Sequence, residues 1–99
     1  LAEPVPAETA ERWGMIWKAV DDAALMAESR RLATYFASAP TYGLALMKRA
    51  FLASAGNSLD AQLDLERDLQ RAAGRSPDYA EGVTAFIAKR KPAFTGRQG

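Results

Sequence analysis

The sequence predicts a mostly α-helical protein. Alanine supplies about a fifth of the 99 residues, whereas Val, Ile and Thr, which favour strands, are sparse. Pro, Gly and helix-capping residues divide the chain into segments of helical length. One run, residues 15–20, instead has the apolar and aromatic composition of a strand. We therefore expect a short helix, one short strand and then four helices.

Each predicted element has its own start and stop signals. The short helix, residues 7–13, begins after Pro6 and ends at Gly14, which can adopt the left-handed conformation that closes many helices. Four residues are placed to cap the longer helices: Asp22, Thr41, Ser58 and Ser76. Those helices are expected to end near Ser38, Ala55, Ala73 and Pro92. The tail after Pro92 is predicted to be irregular, with Phe94 pinning it to the protein.

The composition excludes several kinds of chemistry. The chain has no Cys and no His, so disulfides, thiolate nucleophiles, Ser-His-Asp triads and ordinary zinc sites are ruled out. We expect no metal site. A net charge of +1 argues against a nucleic-acid partner. Long uncharged runs, such as residues 34–47, are too short and polar to cross a membrane, and no signal peptide is visible. A cytoplasmic location is expected.

The beginning of the chain indicates a piece of a larger protein. Residue 1 is Leu rather than an initiator Met. A single strand also needs a partner for its backbone groups, and the chain offers no second strand. We expect a C-terminal portion, with a separately expressed domain as the alternative.

Carboxylates are the obvious catalytic candidates, but their spacing favours a structural role. Asp60, Asp64 and Asp68 recur every four residues and form a solvated stripe within reach of Arg67 and Arg71. The same helix has an apolar stripe formed by Leu59, Leu63, Leu65, Leu69 and Ala73. Glu66 lies at the edge of this stripe and needs a cation or amide partner, which Lys48 or Arg49 could supply. An ion pair is favoured over a catalytic acid there.

Basic residues crowd the end of the chain, at Lys89, Arg90, Lys91 and Arg97. From the residues alone, complementing the negative end of the last helix is favoured over binding a phosphate. Trp13 and Trp17 flank Gly14, and nothing in the sequence decides whether they line a pocket.

Strings of residues along the whole chain resemble the C-terminal part of the enoyl-CoA hydratase/isomerase (crotonase) superfamily. The strings are Ala7-Glu8-Thr9-Ala10, Trp13-Gly14-Met15-Ile16, Val20-Asp21-Asp22, Lys48-Arg49-Ala50, Asp78-Tyr79-Ala80-Glu81-Gly82-Val83 and Lys89-Arg90-Lys91-Pro92-Ala93-Phe94. Within the superfamily, the strings at 13–17, 57–68 and 73–79 resemble the isomerases that convert ring-epoxidised phenylacetyl-CoA to its oxepin form. The alternatives are an enoyl-CoA hydratase, a double-bond isomerase, or a stand-alone helical interaction module.

The resemblance implies the place of this chain in a crotonase-type fold. Residues 1–22 would end the spiral core, and residues 23–99 would form a helical C-terminal region at the oligomer interface and the CoA edge. The implied assembly is a homo-oligomer, a trimer or a dimer of trimers. The substrate is an acyl-CoA, and no separate cofactor is implied.

The resemblance also assigns roles to residues. The oxyanion amides and the catalytic acid of the family lie outside these 99 residues, so no catalytic residue is expected in this chain. Lys89 matches the family's lysine that contacts a phosphate of the CoA nucleotide. The resemblance therefore favours phosphate binding over the earlier interpretation that the basic cluster only complements the negative end of the last helix. Some hydratases place an aromatic against the adenine one helix earlier. The matching position here is Gln70, and Gln70 or Arg71 remain candidates for a nucleotide contact.

Overall fold

The computed structural model describes residues 2–98 and contains five helices. They are α1 (Ala7–Arg12), α2 (Asp22–Ala37), α3 (Thr41–Ser54), α4 (Leu59–Gly74) and α5 (Pro77–Ile87). The prediction of one short helix followed by four longer ones is confirmed, and the residues after α5 contain no further helix or strand up to residue 98.

The predicted strand at residues 15–20 does not form, and no strand occurs within residues 2–98. Its backbone instead bonds back to α1. The Met15 N–H donates to the Ala10 carbonyl at 2.9 Å, with Gly14 at a φ of 73°. The Ala19 N–H donates to Glu11 Oε2, also at 2.9 Å. Composition favours a strand here, but a strand needs a second strand to pair with.

The chain divides into two compact units, and the boundary falls after Leu32, inside α2. The first unit is held by a charged cluster around Glu28. Arg31 donates to both carboxylate oxygens of Glu28, at 2.8 and 2.9 Å, and Lys18 donates at 3.2 Å. The hydrogen bonds from Arg31 and then Lys18 lower the pKa of Glu28 to about 2.

In the second unit, α3 packs on α4 and α4 packs on α5. Its buried apolar side chains are Leu46, Leu69 and Ala85. Many large apolar side chains are exposed in this chain. Four of them are at least 75% exposed: Phe51, Leu52, Phe86 and Ile87. Exposed apolar patches are often interaction surfaces.

Two of the predicted caps are confirmed and two are wrong. Ser58 and Ser76 cap α4 and α5, with their Oγ atoms accepting the N–H of the residue three positions later at 3.3 and 3.2 Å. At α3 the capping position is Pro40 rather than Thr41, and no side chain bonds the first turn. Asp22 is the first residue of α2 rather than its cap. None of the helices in the described part of the chain could span a bilayer.

Candidate functional site

Lys89 lies two residues beyond the end of α5, where the chain turns sharply. Its φ is 51°, in the left-handed region that residues other than Gly rarely adopt. The Lys89 N–H donates to the Phe86 carbonyl at 3.2 Å. The Arg90 N–H donates to the Ala85 carbonyl at 3.0 Å. This pair of bonds is the Schellman closure of a helix, with Lys89 in the position that Gly usually occupies.

The cations of Lys89 and Arg90 differ in their surroundings. The Arg90 guanidinium donates to both oxygens of Glu81, at 2.6 and 2.9 Å. The Lys89 side chain is exposed, and no ion pair within residues 2–98 involves it. The sequence grouped these residues as one basic cluster. In the structure, the charge of Arg90 is committed to Glu81, whereas the Lys89 ammonium is free to meet an anion.

Glu81 also holds the chain beyond Arg90. Its Oε1 accepts the Ala93 N–H at 2.7 Å. The hydrogen bonds from Arg90 and then from Ala93 lower the pKa of Glu81 to about 2. Since the carboxylate is the form that accepts these bonds, the side chain is ionised when it holds the tail.

Asp78 provides a second anchor in the first turn of α5, where its side chain is only 4% exposed. It accepts the Thr95 N–H at 2.7 Å, the Thr95 Oγ1 hydroxyl at 3.2 Å and the Gly96 N–H at 2.8 Å. The Thr95 amide, followed by the Gly96 amide, holds the pKa of Asp78 below its ordinary value despite the burial. We call the set formed by Asp78, Glu81 and residues 90–96 the tail clasp.

Phe94 lies over α5 at Gly82, within the tail clasp. A Cβ added at Gly82 would lie 3.6 Å from Phe94 Cε1. The prediction that Phe94 pins the tail is confirmed. The roles of the two carboxylates of the clasp were missed, because acidic residues near the start of a helix are already explained by the helix dipole. No local pattern in the sequence pairs these carboxylates with donors that follow them by 9 to 18 residues.

Gln70 and Arg71, the other candidates for a nucleotide contact, lie on α4. Gln70 lines a cavity of about 380 Å³ between α3 and α4. Arg71 lies 3.5 Å from Asp68. Within residues 2–98, no hydrogen bond or ion pair joins either residue to Lys89. The polar contact shown for Arg71 is therefore with its own helix, and neither candidate is bonded to the end of α5.

The acidic residues of α4 have the structural roles expected of a solvated stripe. Arg67 lies 2.7 Å from Asp64 and 3.1 Å from Asp68. Glu66 has the amide partner that was expected, since Gln62 donates to its Oε1 at 2.8 Å, but the named donors Lys48 and Arg49 are wrong. Gln62 stands one turn earlier on the same helix, so its amide reaches Glu66 without crossing from α3.

Comparisons with known proteins agree on one family. The family model for enoyl-CoA hydratase/isomerase matches residues 1–97. The 1,2-epoxyphenylacetyl-CoA isomerase of Escherichia coli K12 is 55% identical over 97 residues, which cover 98% of this chain and 37% of that protein. A probable enoyl-CoA hydratase of Rhodobacter capsulatus is 47% identical over 97 residues, covering 98% of this chain and 38% of its own length.

Solved structures show the same fold. The crystal structure of an enoyl-CoA hydratase from Geobacillus kaustophilus superposes with a TM-score of 0.88 at 27% identity, over 96% of this chain and 36% of that one. The chain therefore spans a little over a third of the length of these relatives.

Proposed function

The chain belongs to the enoyl-CoA hydratase/isomerase family, and on that premise we propose that it is part of an acyl-CoA isomerase acting on ring-epoxidised phenylacetyl-CoA. In that reaction the epoxide on the aromatic ring is converted to the seven-membered oxepin form, and the thioester activates the adjacent carbon. The observation that carries the proposal is the 55% identity to the 1,2-epoxyphenylacetyl-CoA isomerase over 98% of the chain.

Within that enzyme, we propose that Lys89 contacts a phosphate of the CoA nucleotide. Its exposed ammonium, without an ion-pair partner in residues 2–98, supports this role. Lys binds phosphate as a point charge. The chain offers no catalytic residue for the reaction under this proposal, because the oxyanion amides and the acid belong to residues outside it. Gln70 and Arg71 remain secondary candidates for the nucleotide.

The proposed setting has three further parts. Residues 1–22 complete the spiral core, and residues 23–99 form the helical region at the oligomer interface. The protein assembles as a trimer or a dimer of trimers in the cytoplasm. It needs no cofactor besides the CoA thioester substrate. The large exposed apolar side chains on α3 and α5 support an assembly in which other polypeptide covers them.

An enoyl-CoA hydratase or double-bond isomerase is the second candidate. The 47% identity to a probable enoyl-CoA hydratase favours it. A hydratase adds water to a double bond, whereas both kinds of isomerase rearrange the substrate without adding water and differ in the substrate they accept.

The deciding assay uses the full-length protein that contains this chain. It is given ring-epoxidised phenylacetyl-CoA and, separately, a 2-enoyl-CoA, and product formation is followed by chromatography. Faster conversion of the epoxide to the oxepin supports the isomerase. Efficient hydration of the enoyl-CoA with no action on the epoxide would replace it with the hydratase. The 99 residues alone should turn over neither substrate, because one oxyanion donor can contribute about 10²–10³-fold in rate.

The proposed role of Lys89 has its own test. Lys89→Ala should raise KM for CoA thioesters about five- to tenfold with kcat nearly unchanged, because a contact far from the reacting carbon stabilises ground and transition states equally. The increase should shrink at high salt. A pantetheine thioester, which has no nucleotide phosphate, serves as the control. An equal rise in KM for both thioesters would contradict the phosphate contact.

A further inference from the structure

Lys89 adopts a backbone conformation that must be held by its surroundings. The left-handed region is unfavourable for a residue with a Cβ, and helix ends of this kind normally carry Gly. The φ of Lys89 is 51°. A residue in such a conformation persists where neighbouring structure over-determines it, and such residues concentrate at ligand sites.

On its N-terminal side, Lys89 is fixed by α5. The Schellman bonds from Lys89 to Phe86 and from Arg90 to Ala85 tie the turn to the last residues of the helix. Those two bonds are made equally well by Gly, so they define the turn without explaining why a Lys tolerates it.

On its C-terminal side, Lys89 is fixed by the tail clasp, beginning with the next residue. Arg90 donates two hydrogen bonds to the Glu81 carboxylate, at 2.6 and 2.9 Å. The same carboxylate accepts the Ala93 N–H at 2.7 Å. One side chain on α5 thus binds the chain at two points within four residues of Lys89.

A second anchor keeps the tail on the helix. Asp78, two turns before the end of α5, accepts the amides of Thr95 and Gly96 at 2.7 and 2.8 Å. The segment after Lys89 must therefore return along α5, which requires the sharp turn at Lys89.

We propose that Glu81 is a positioning residue for Lys89: by holding Arg90 and Ala93 it keeps Lys89 in the left-handed turn from which its ammonium meets the phosphate of the CoA nucleotide. The proposal rests on the proposed role of Lys89. It gives Arg90 a holding role and takes it out of the set of cations that bind the ligand.

The test measures KM for a CoA thioester and for the matching pantetheine thioester in the full-length protein. Three proteins are compared with the wild type: Lys89→Ala, Glu81→Gln, and the double variant. If loss of the clasp reduces the competent conformation to about a third of the population, Glu81→Gln raises KM for the CoA thioester about threefold, with kcat and the pantetheine KM unchanged. In the Lys89→Ala background, Glu81→Gln should add nothing, because it acts through Lys89.

Glu28→Gln provides a matched control. Glu28 also accepts a two-pronged bond from an arginine, Arg31, and its pKa is likewise lowered to about 2, but it belongs to the first unit of the chain. Glu28→Gln should leave the ratio of the two KM values unchanged.

Arg90→Lys tests the tail clasp from the cation's side, because Lys keeps the charge and loses the two-pronged geometry. It should raise the same ratio, by less than Glu81→Gln.

The outcomes separate the two proposals. No change in the KM ratio on Lys89→Ala overturns the phosphate contact, and the positioning role with it. If Lys89→Ala changes the ratio of the CoA KM to the pantetheine KM, but Glu81→Gln and Arg90→Lys both leave that ratio unchanged, the positioning role alone is overturned. The positioning role is also overturned if Glu81→Gln raises KM equally for the CoA and pantetheine thioesters, which marks a general loss of structure. It is likewise overturned if Glu81→Gln lowers KM for the CoA thioester, which means that the released Arg90 binds the phosphate itself. Circular dichroism checks folding, and Arg90→Lys decides if Glu81→Gln does not fold.

Discussion

The most direct test of the tail clasp is a single methyl group at Gly96. Its φ is 70°, a conformation that costs a residue with a Cβ roughly 1–2 kcal/mol. A Cβ at this position would also overlap Thr41 Oγ1. Overpacking of that kind adds about 1–3 kcal/mol where the neighbour cannot move away. Gly96→Ala should therefore cost the docked tail at least about 2 kcal/mol.

The reporter is amide hydrogen exchange at Thr95, whose N–H is bound to Asp78 in the docked tail. Exchange at such a site follows local opening, so at least about 2 kcal/mol should accelerate it at least about 30-fold. Combining Gly96→Ala with Thr41→Ala removes the overlap and leaves the φ cost of about 1–2 kcal/mol, so exchange should be at least about fivefold slower than in Gly96→Ala. Thr41→Ala alone gives the baseline for that comparison.

Gly43→Ala is the matched glycine control. Gly43 lies within α3, and an added Cβ there would have no atom within 4 Å. It should leave Thr95 exchange unchanged. If Gly96→Ala also leaves exchange unchanged, the tail does not dock with Gly96 in the left-handed conformation. If the double variant exchanges as fast as Gly96→Ala, the overlap with Thr41 contributes nothing.

Three further predictions follow from the same contacts. Ser76→Ala removes the α5 cap and should lower the free energy of unfolding, measured by urea denaturation, by about 1 kcal/mol. Ser58→Ala, at the more exposed α4 cap, should cost less. Equal effects of the two substitutions would show that burial of the cap does not matter. Leu46→Ala should cost about 2–5 kcal/mol in the same assay, because Leu46 is 5% exposed, and a cost below 1 kcal/mol would contradict its place in the core. The pKa of Glu81 is lowered from 4.5 to about 2 on folding, so its contribution to tail docking is complete above about pH 4.5 and is lost as the pH falls towards 2. Protection of the Ala93 amide should decline over that window, and protection that persists unchanged through pH 2 would refute the carboxylate's role.

Much of the helical architecture could be predicted from sequence because its signals are local. Ser58 and Ser76-Pro77 mark their helix starts within three residues, and the structure forms both caps there. Gly14 likewise closes α1 with a positive φ. These features depend on neighbours in the chain and not on tertiary contacts.

The failures involve partners that are distant in sequence or absent from it. The run at residues 15–20 has the composition of a strand, but its backbone donors bond to α1 in place of a second strand. The bonds of Glu81 to Arg90 and of Asp78 to Thr95 span 9 and 17 residues, and no periodicity encodes them. A pattern of charges shows that a carboxylate is present. It does not show which donor the fold brings to it.

The same limit explains how the basic ending should be understood. Counting charge gives four cations near the end of α5, at Lys89, Arg90, Lys91 and Arg97. The structure removes one of them, since Glu81 neutralises Arg90 through two hydrogen bonds. An anion approaching the end of α5 therefore meets Lys89, Lys91 and Arg97 with their charges unopposed by any ion pair within residues 2–98. The tail clasp lowers the total positive charge at this end of α5 and holds the backbone that carries the remaining cations. This arrangement favours recognition of one phosphate at a defined place over general attraction of polyanions.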